Sequence, residues 1–265
     1  MIDPVIELDQ LPTHAVLADV RYYLDGRSGR AAYQAGHLPG AIFVDMDTVL
    51  ATHAGPGEGR HPLPAPEAFA ARMGELGVGD DDTVIAYDDA GGVMAARLVW
   101  MLRAIGREAA LLDGGLNAYG GKLETGITQR EPQVFTARPW PSDRLADIDE
   151  AAGGKVVIDA RQPERFRGET EPIDPRAGHI PGARSLPCRE NVDETGRFLS
   201  PEALRERFVS AGVTDGAEVI SYCGSGVTAC HNLLALERAG FAPGRLYPGS
   251  WSQYSATDRP AATGD

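Results

Sequence analysis

Most of the chain is a tandem repeat, because the features of residues 15–119 recur in the same order in residues 156–254. The clearest match is a turn: residues 35–41 read Ala-Gly-His-Leu-Pro-Gly-Ala, and residues 177–183 read Ala-Gly-His-Ile-Pro-Gly-Ala. A Pro-Gly step before a further apolar segment marks a turn that leads into a strand. The repeat indicates that the chain folds as two copies of one structural unit.

Each copy contains strands that alternate with helices. Residues 83–87 and 218–222 are short apolar runs, 135 positions apart, and each is followed by a glycine-rich loop and an apolar helix. This alternation predicts the α/β class, with a parallel sheet in each copy and helices on both faces of each sheet. The predicted division of the chain is a first domain at residues 1–123, an interdomain linker at 124–154 and a second domain at 155–265.

Charge and cysteine usage argue against several classes of protein. The formal net charge of −13 disfavours nucleic acid and membrane surfaces as partners, because both require a basic patch. Residues 1–4 lack the basic start of a secretion signal, and no stretch has the roughly 18 apolar residues of a membrane span. The three cysteines, at 188, 223 and 230, form no Cys-x-x-Cys pair. We therefore expect a cytoplasmic protein with reduced thiols, no disulfide framework and no metal site.

Cys223 stands where a predicted strand gives way to a loop and a helix, the place where open α/β sheets bind ligands. Gly224 and Gly226 permit backbone angles closed to other residues, so that successive N–H groups can form an anion-binding nest. The helix predicted from about Thr228 to Arg238 adds the positive end of its dipole. A thiolate or a persulfide anion would be stable in such a loop. Isolated cysteines are more commonly small buried hydrophobes, but this location favours a catalytic thiolate.

The repeated turn and residues 223–229, Cys-Gly-Ser-Gly-Val-Thr-Ala, resemble the two-domain, tandem rhodanese sulfurtransferases over nearly the whole chain. The loop is most similar to that of the 3-mercaptopyruvate sulfurtransferase branch, since thiosulfate-preferring members usually carry larger basic residues after the cysteine. The resemblance implies a Cys223 persulfide that forms from 3-mercaptopyruvate, releases pyruvate, and passes its sulfur to a thiol or to cyanide. It implies a small anionic sulfur donor, a thiol acceptor such as thioredoxin, and neither a metal nor an organic cofactor.

The resemblance also implies which residues handle the substrate. Arg165, in an Arg-Phe-x-Gly segment, and Arg176, in a Pro-Arg step, match arginines that bind the substrate carboxylate and carbonyl in the mercaptopyruvate enzymes. Ser225 would donate a hydrogen bond to the substrate or assist proton transfer. His37 would face the substrate from the first domain, with a structural role in its turn as the alternative. The residues assigned to the persulfide-binding loop are Gly224, Gly226, Val227 and Thr228.

Several further residues are expected to be structural or inactive. The first copy has Asp88 at the position of Cys223, and because a carboxylate cannot carry sulfane sulfur, the first domain is predicted to be catalytically inactive. Arg161 and Arg167 are expected to form surface or structural ion pairs. Cys188 and Cys230 are expected to serve in side-chain packing.

Alternatives to mercaptopyruvate chemistry come from the same loop. Thiosulfate:cyanide sulfur transfer would use the same cysteine. A cysteine phosphatase needs an arginine six residues after its cysteine to hold phosphate, and that residue is Ala229 here, so we do not expect phosphatase activity. A non-enzymatic, sulfur-responsive binding module would form a persulfide that does not turn over.

Overall fold

The computed structural model describes residues 1–55 and 57–265, which form two compact units. Each unit includes a short segment from the other half of the sequence. These segments are the first arm, His53–Pro62, which belongs to the second unit, and the second arm, Asp193–Phe198, which belongs to the first. The linear division into 1–123, 124–154 and 155–265 contains no such exchange. The first unit comprises Met1–Thr52, Leu63–Trp140 and Asp193–Phe198, and the second comprises His53–Pro62, Pro141–Val192 and Leu199–Asp265.

A five-stranded sheet with only parallel pairings forms the centre of the first unit. Its strands are β1 (Val5–Ile6), β2 (Val16–Asp19), β3 (Ile42–Phe43), β4 (Val84–Tyr87) and β5 (Ala109–Leu112), in the spatial order β1-β5-β4-β2-β3. The helices are α1 (Gly29–Ala35), α2 (Pro66–Glu75) and α3 (Ala96–Ala104), with 3₁₀ turns at Leu8–Gln10 and Gly115–Ala118 and a π-helical turn at Met46–Leu50.

The second unit has a four-stranded sheet, again parallel throughout. Its strands are β6 (Val156–Asp159), β7 (Arg184–Ser185), β8 (Val219–Tyr222) and β9 (Arg245–Leu246), in the spatial order β7-β6-β8-β9. The helices are α4 (Ile148–Gly153), α5 (Pro163–Phe166), α6 (Pro201–Ser210), α7 (Ala229–Arg238) and α8 (Ser250–Tyr254), with 3₁₀ turns at Ser142–Arg144 and Cys188–Asn191.

The interior strands explain why the apolar runs lack alternation. Every residue of β4 and of β8 is buried, as expected for parallel strands covered by helices. In both units a proline begins the helix that precedes the interior strand, Pro66 in α2 and Pro201 in α6, because its fixed φ suits the first helical turn. The predicted α/β fold with two parallel sheets is confirmed.

The repeated Gly-His turn is built in the same way in both units. His37 stacks on Tyr33, and its Nδ1 lies 2.9 Å from the Tyr33 carbonyl oxygen. His179 stacks on Phe166, and its Nδ1 lies 2.8 Å from the Phe166 carbonyl oxygen. Both histidines therefore tie the turn to the helix that precedes it.

A buried ion pair at the end of β2 recurs at the end of β6. Arg21 donates to both carboxylate oxygens of Asp19 and to the Gly36 carbonyl. Arg161 makes the equivalent bonds to Asp159, with its Nη2 2.7 Å from the Gly178 carbonyl. Since a carboxylate buried beside a bidentate arginine has its hydrogen bonds satisfied, these pairs fix the loops that follow the strands.

Candidate active site

Cys223 directly follows β8, and its side chain is buried. The Gly226 N–H donates to Cys223 Sγ at 3.1 Å. On the backbone side, the Cys223 N–H donates to Ser250 Oγ at 3.1 Å, and its carbonyl accepts from Trp251 N–H at 2.9 Å. The thiol is thus held at the carboxyl end of an interior strand, as the sequence predicted.

The loop after Cys223 contains backbone donors that lack partners among the described residues. The N–H groups of Ser225, Val227 and Thr228 have no acceptor in the part of the chain that the structure describes, although Ser225 and Val227 are buried. Gly226 has φ +77°, and a Cβ there would lie 2.5 Å from the Pro248 carbonyl oxygen, so only glycine fits. Unpaired buried N–H groups are costly unless they meet an acceptor, and a loop of this kind suits an anion.

Ser250, the first residue of α8, supports the cysteine loop and has a strained backbone conformation. It is the one non-glycine residue with positive φ in the described chain, at 53°. Its hydroxyl accepts from the Cys223 N–H and donates to the Tyr247 carbonyl at 2.9 Å. The matching residue of the first unit is Gly115, with φ 54°. The left-handed backbone is therefore common to both units, and the serine adds a support for Cys223.

His61, in the first arm, lies beside the cysteine loop. Its Nδ1 is 2.8 Å from Ser225 Oγ, and the two residues are 164 positions apart in sequence. No pattern in the sequence had singled out His61. The available signal was a divergence between the repeats, because Gly59-Arg60-His61 matches a Gly-Arg-Phe segment at 196–198. The histidine is in the first copy, whereas the cysteine loop that it contacts is in the second.

Two arginines flank Gly224, the residue after the cysteine. An ideal Cβ on Gly224 would lie 3.0 Å from Arg60 Nη2 and 3.5 Å from Arg165 Nη1. Arg165 Nη2 donates to Glu171 at 2.7 Å and to Asp174 at 3.1 Å. Arg60 Nη1 pairs with the other oxygen of Asp174. Arg165 was predicted at the site and lies there, whereas Arg60 was not predicted.

The prediction for Arg176 is corrected by its contacts. Its guanidinium donates to the carbonyls of Ser255 at 2.8 Å, Arg259 at 2.9 Å and Tyr254 at 3.3 Å. Its own carbonyl accepts from Trp251 Nε1. Each of the three guanidinium nitrogens thus donates to a backbone carbonyl, and Arg176 holds the C-terminal segment in place.

The prediction that His37 contacts the substrate is corrected in the same way. Besides its bond to Tyr33, His37 places Nε2 3.2 Å from Thr128 Oγ1, and its side chain is buried. Both ring nitrogens are occupied within the first unit. His37 therefore has the structural role that was its alternative.

The other residues expected to be structural have structural contacts. Arg161 pairs with Asp159, and Arg167 donates to Glu169 at 2.7 Å on the surface. The Cys230 thiol donates to the Gly226 carbonyl at 3.4 Å. Burial, and to a smaller extent the neighbouring Cys223, raises the pKa of Cys188 to about 12, so that this thiol stays protonated. The three cysteines are free thiols.

The sequence profile of the rhodanese-like domain matches residues 7–122 and 143–257. The chain belongs to the rhodanese family. The two matched stretches are the two copies of the repeat, so both halves of this rhodanese are rhodanese-like domains.

Named relatives span almost the whole length of this rhodanese. A probable 3-mercaptopyruvate sulfurtransferase of Pseudomonas aeruginosa is 44% identical over 266 residues, covering 94% of this chain and 93% of the relative. A putative thiosulfate sulfurtransferase of Mycobacterium tuberculosis, SseB, is 41% identical over 260 residues, covering 94% and 90%. Among solved structures, the 3-mercaptopyruvate sulfotransferase SseA from Escherichia coli matches with a TM-score of 0.82 at 33% identity, covering 95% of this chain and all of that one. The resemblance is confirmed, and the chain is a sulfurtransferase.

In the first unit, the loop equivalent to the cysteine loop is occupied by the side chain of Asp88. Asp88 directly follows β4, and its carboxylate accepts from four backbone N–H groups at 2.8 to 3.0 Å. One oxygen accepts from Ala90 and Gly92, and the other from Met94 and Ala95. This loop binds an anion, and the anion is part of the chain.

The residues that the structure describes lack two further features. Within residues 1–55 and 57–265, no helix combines the length and apolar character needed to cross a membrane. The same residues contain no group of three His, Cys, Asp or Glu side chains placed to hold a metal ion.

Proposed function

We propose that this member of the rhodanese family is a 3-mercaptopyruvate sulfurtransferase that carries sulfane sulfur as a persulfide on Cys223. The observation that carries the proposal is the bond of 3.1 Å from Gly226 N–H to Cys223 Sγ, inside a loop with further unpaired amides. Hydrogen-bond donors fixed around a sulfur favour its anionic forms, and they act without reorganisation when charge develops. The relative from P. aeruginosa, named for the same reaction, supports the choice.

In the first half of the reaction the Cys223 thiolate attacks the sulfur atom of 3-mercaptopyruvate. A sulfur–sulfur bond forms, and the carbon–sulfur bond of the donor breaks. The electron pair of that bond remains on the departing carbon as the enolate of pyruvate, which takes up a proton to give pyruvate. The enzyme is left with a Cys223 persulfide.

Ser225 and His61 supply the proton path in this proposal. A hydroxyl 2.8 Å from an imidazole nitrogen exchanges protons with it readily, and general acid–base assistance requires such contact. We infer that Ser225 donates a hydrogen bond to the departing enolate and that His61 exchanges a proton with the Ser225 hydroxyl. Arg165, beside Gly224, binds the donor carboxylate, because a guanidinium pairs with a carboxylate bidentately.

The second half returns the cysteine to its starting state. An acceptor thiol attacks the outer sulfur of the persulfide, takes that sulfur as its own persulfide and releases the Cys223 thiol. Cyanide in the same position leaves as thiocyanate. Thioredoxin is the acceptor we propose, because a second thiol in the acceptor displaces the transferred sulfur as hydrogen sulfide and forms a disulfide. A net charge of −13 makes nucleic acid and anionic membranes poor partners, and free cysteines suit a reducing compartment such as the cytoplasm.

One active centre per chain is part of the proposal. Asp88 replaces the cysteine in the first unit and fills its loop with a carboxylate. We therefore assign catalysis to the second unit, including the first arm, and a structural role to the first. Gly224, Gly226, Val227 and Thr228 are assigned to persulfide binding together with Ser225.

Thiosulfate is the second candidate donor, because the relative from M. tuberculosis is named as a putative thiosulfate sulfurtransferase. The loop after Cys223 carries no charged side chain, which favours the mercaptopyruvate donor over a divalent sulfur oxyanion. A binding module that forms a persulfide without turnover is the non-enzymatic alternative.

Steady-state kinetics with both donors, joined to intact mass, tests the proposal. We expect pyruvate release from 3-mercaptopyruvate, a higher kcat/KM for that donor than for thiosulfate, and a mass gain of one sulfur atom before acceptor is added. Cys223→Ser should lose both, and Cys230→Ser, the matched control in the first turn of α7, should retain both. A fully active Cys223→Ser variant would contradict the mechanism, and a stable persulfide without turnover would favour the binding module.

A further inference from the structure

We propose that Arg60 is a donor-binding residue, and that the carboxylate of Asp174 occupies the donor's place between Arg60 and Arg165 until the donor displaces it. The inference rests on the proposed function, since the donor it describes is a small 2-oxo carboxylate. It extends that function because it names a second binding residue and a competitor that belongs to the chain.

The first arm fixes Arg60 beside the cysteine loop. The Arg60 N–H donates to Ser252 Oγ at 3.1 Å, and the Ser252 N–H donates to the Gly224 carbonyl at 2.9 Å. Gly59 allows this approach, because a Cβ there would lie 2.4 Å from the Gly249 carbonyl oxygen. Ser252 thus links the backbone of Arg60 to the backbone of Gly224 through two hydrogen bonds.

Both guanidinium groups present an unused donor to Gly224. Arg60 Nη2 and Arg165 Nη1 are the nitrogens nearest to the side-chain position of Gly224, and neither has an acceptor among the residues described. The other ends of the two groups bind opposite oxygens of Asp174. A ligand with two oxygens on adjacent carbons, as in a 2-oxo carboxylate, offers acceptors to both arginines at once.

The charge of the cluster explains why Asp174 must yield. Three guanidiniums, those of Arg60, Arg161 and Arg165, face three carboxylates, those of Asp159, Glu171 and Asp174. An anionic donor added to a neutral cluster would leave it with net negative charge.

Asp174 is the member of that cluster most easily released. Burial raises the pKa of its carboxyl group, and Glu171 adds to the effect, while Arg60 and Arg165 oppose it. Glu171 is held more firmly, since it also accepts from the backbone N–H groups of Ile173 and Asp174. A donor carboxylate therefore gains most by replacing Asp174.

Substitutions at the two positions give opposite expectations. Arg60→Ala should raise KM for 3-mercaptopyruvate about tenfold with kcat changed much less, because binding in the ground state is lost. Arg60→Lys should recover part of the loss, since a lysine keeps the charge without the planar fork. Asp174→Asn should lower KM, because an amide competes poorly for the guanidiniums. Arg197→Ala is the matched control: it holds the same repeat position in the second arm, pairs with Glu7, and should leave KM unchanged.

The same experiment separates this inference from the proposed function. Pyruvate release with equal KM for the wild-type and Arg60→Ala proteins would overturn the role of Arg60 and leave the function intact. A rise in KM in Asp174→Asn would overturn the displacement, because Asp174 would then be a fixed support for the arginines. Transfer from thiosulfate alone would overturn the proposed donor, and KM for thiosulfate would then decide the role of Arg60.

A binding measurement avoids dependence on turnover and on folding losses. Calorimetric titration of Cys223→Ser with pyruvate, the product, should give a Kd that the added Arg60→Ala change raises about tenfold. An unchanged Kd overturns the inference. Far-UV circular dichroism and thermal unfolding of each variant show whether the second unit is intact.

Discussion

Ser250 accepts a hydrogen bond from the backbone N–H of Cys223 at 3.1 Å, and it does so from a left-handed conformation with φ 53°. A residue other than glycine loses roughly 1 kcal/mol in this region. The turn after β9 has the same left-handed backbone as the matching turn after β5 in the first unit, where Gly115 has φ 54°. Anchoring the backbone of Cys223 in this way therefore has a measurable conformational cost.

Two substitutions at Ser250 separate the strain from the bond. Ser250→Ala keeps the strain and leaves the buried Cys223 N–H unpaired, which should cost about 1–3 kcal/mol. Ser250→Gly also loses the bond but relieves the strain, so it should be about 1 kcal/mol more stable than Ser250→Ala. Urea unfolding measures both free energies. Equal stabilities would show that the positive φ stores no strain.

His61 should act through Ser225. His61→Ala should lower kcat by about 100-fold with little change in KM, because general acid–base assistance of this size is lost. His53→Ala, an exposed histidine in the same arm, is the control and should retain full activity. The double variant with Ser225→Ala should be no slower than the slower single variant, since the two side chains act as a pair. Losses that multiply would mean that they act independently.

Asp88 should be a stability residue of the first unit. Asp88→Ala leaves four N–H groups, three of them buried, without an acceptor and should lower the free energy of unfolding by about 3 kcal/mol or more. Asp89→Ala, which removes one hydrogen bond from Tyr23, should cost less. Sulfate should stabilise Asp88→Ala more than the wild type, because the opened loop can bind an added anion. Thermal unfolding in matched sulfate and chloride solutions measures the difference, and equal shifts would contradict the anion-binding loop.

Glu171 should contribute a pH-dependent share of stability. Burial opposes ionisation of this carboxyl group, but the hydrogen bonds from Arg165 and from two backbone N–H groups outweigh burial and lower its pKa from the ordinary value of 4.5. This share of the free energy of unfolding is therefore present above pH 4.5 and is lost as the pH falls through the lowered pKa. Glu171→Gln should unfold with a flatter pH dependence than the wild type below about pH 5. Identical slopes in denaturant titrations would contradict this assignment.

The features that the sequence predicted are those with a local cause. The strand before Cys223 is an apolar run, the turns contain Pro-Gly steps, and the glycines of the loop mark the strand-to-helix change. Each of these patterns also occurs in both copies of the repeat, which supports its interpretation. The sheet type and the place of Cys223 therefore follow from short segments read one at a time.

The features that the sequence did not predict depend on distant parts of the chain. Arg60 and His61 lie beside the cysteine loop because the first arm packs there, and no local sequence pattern predicts where such a segment packs. Arg176 and His37 stand in the right motifs, but a motif does not specify which atoms a side chain will meet. Arg176 donates to backbone carbonyls of the C-terminal segment, and His37 contacts Tyr33 and Thr128.

The arms limit how this protein can be divided or recombined. Although it consists of two copies of one unit, a chain cut between the copies would leave the half with Cys223 lacking both Arg60 and His61, which are encoded in the other half. Such a half would keep Cys223, Ser225 and Arg165 but would lose Arg60 and His61. The two copies of the repeat therefore have to remain on one chain for the second unit to be complete.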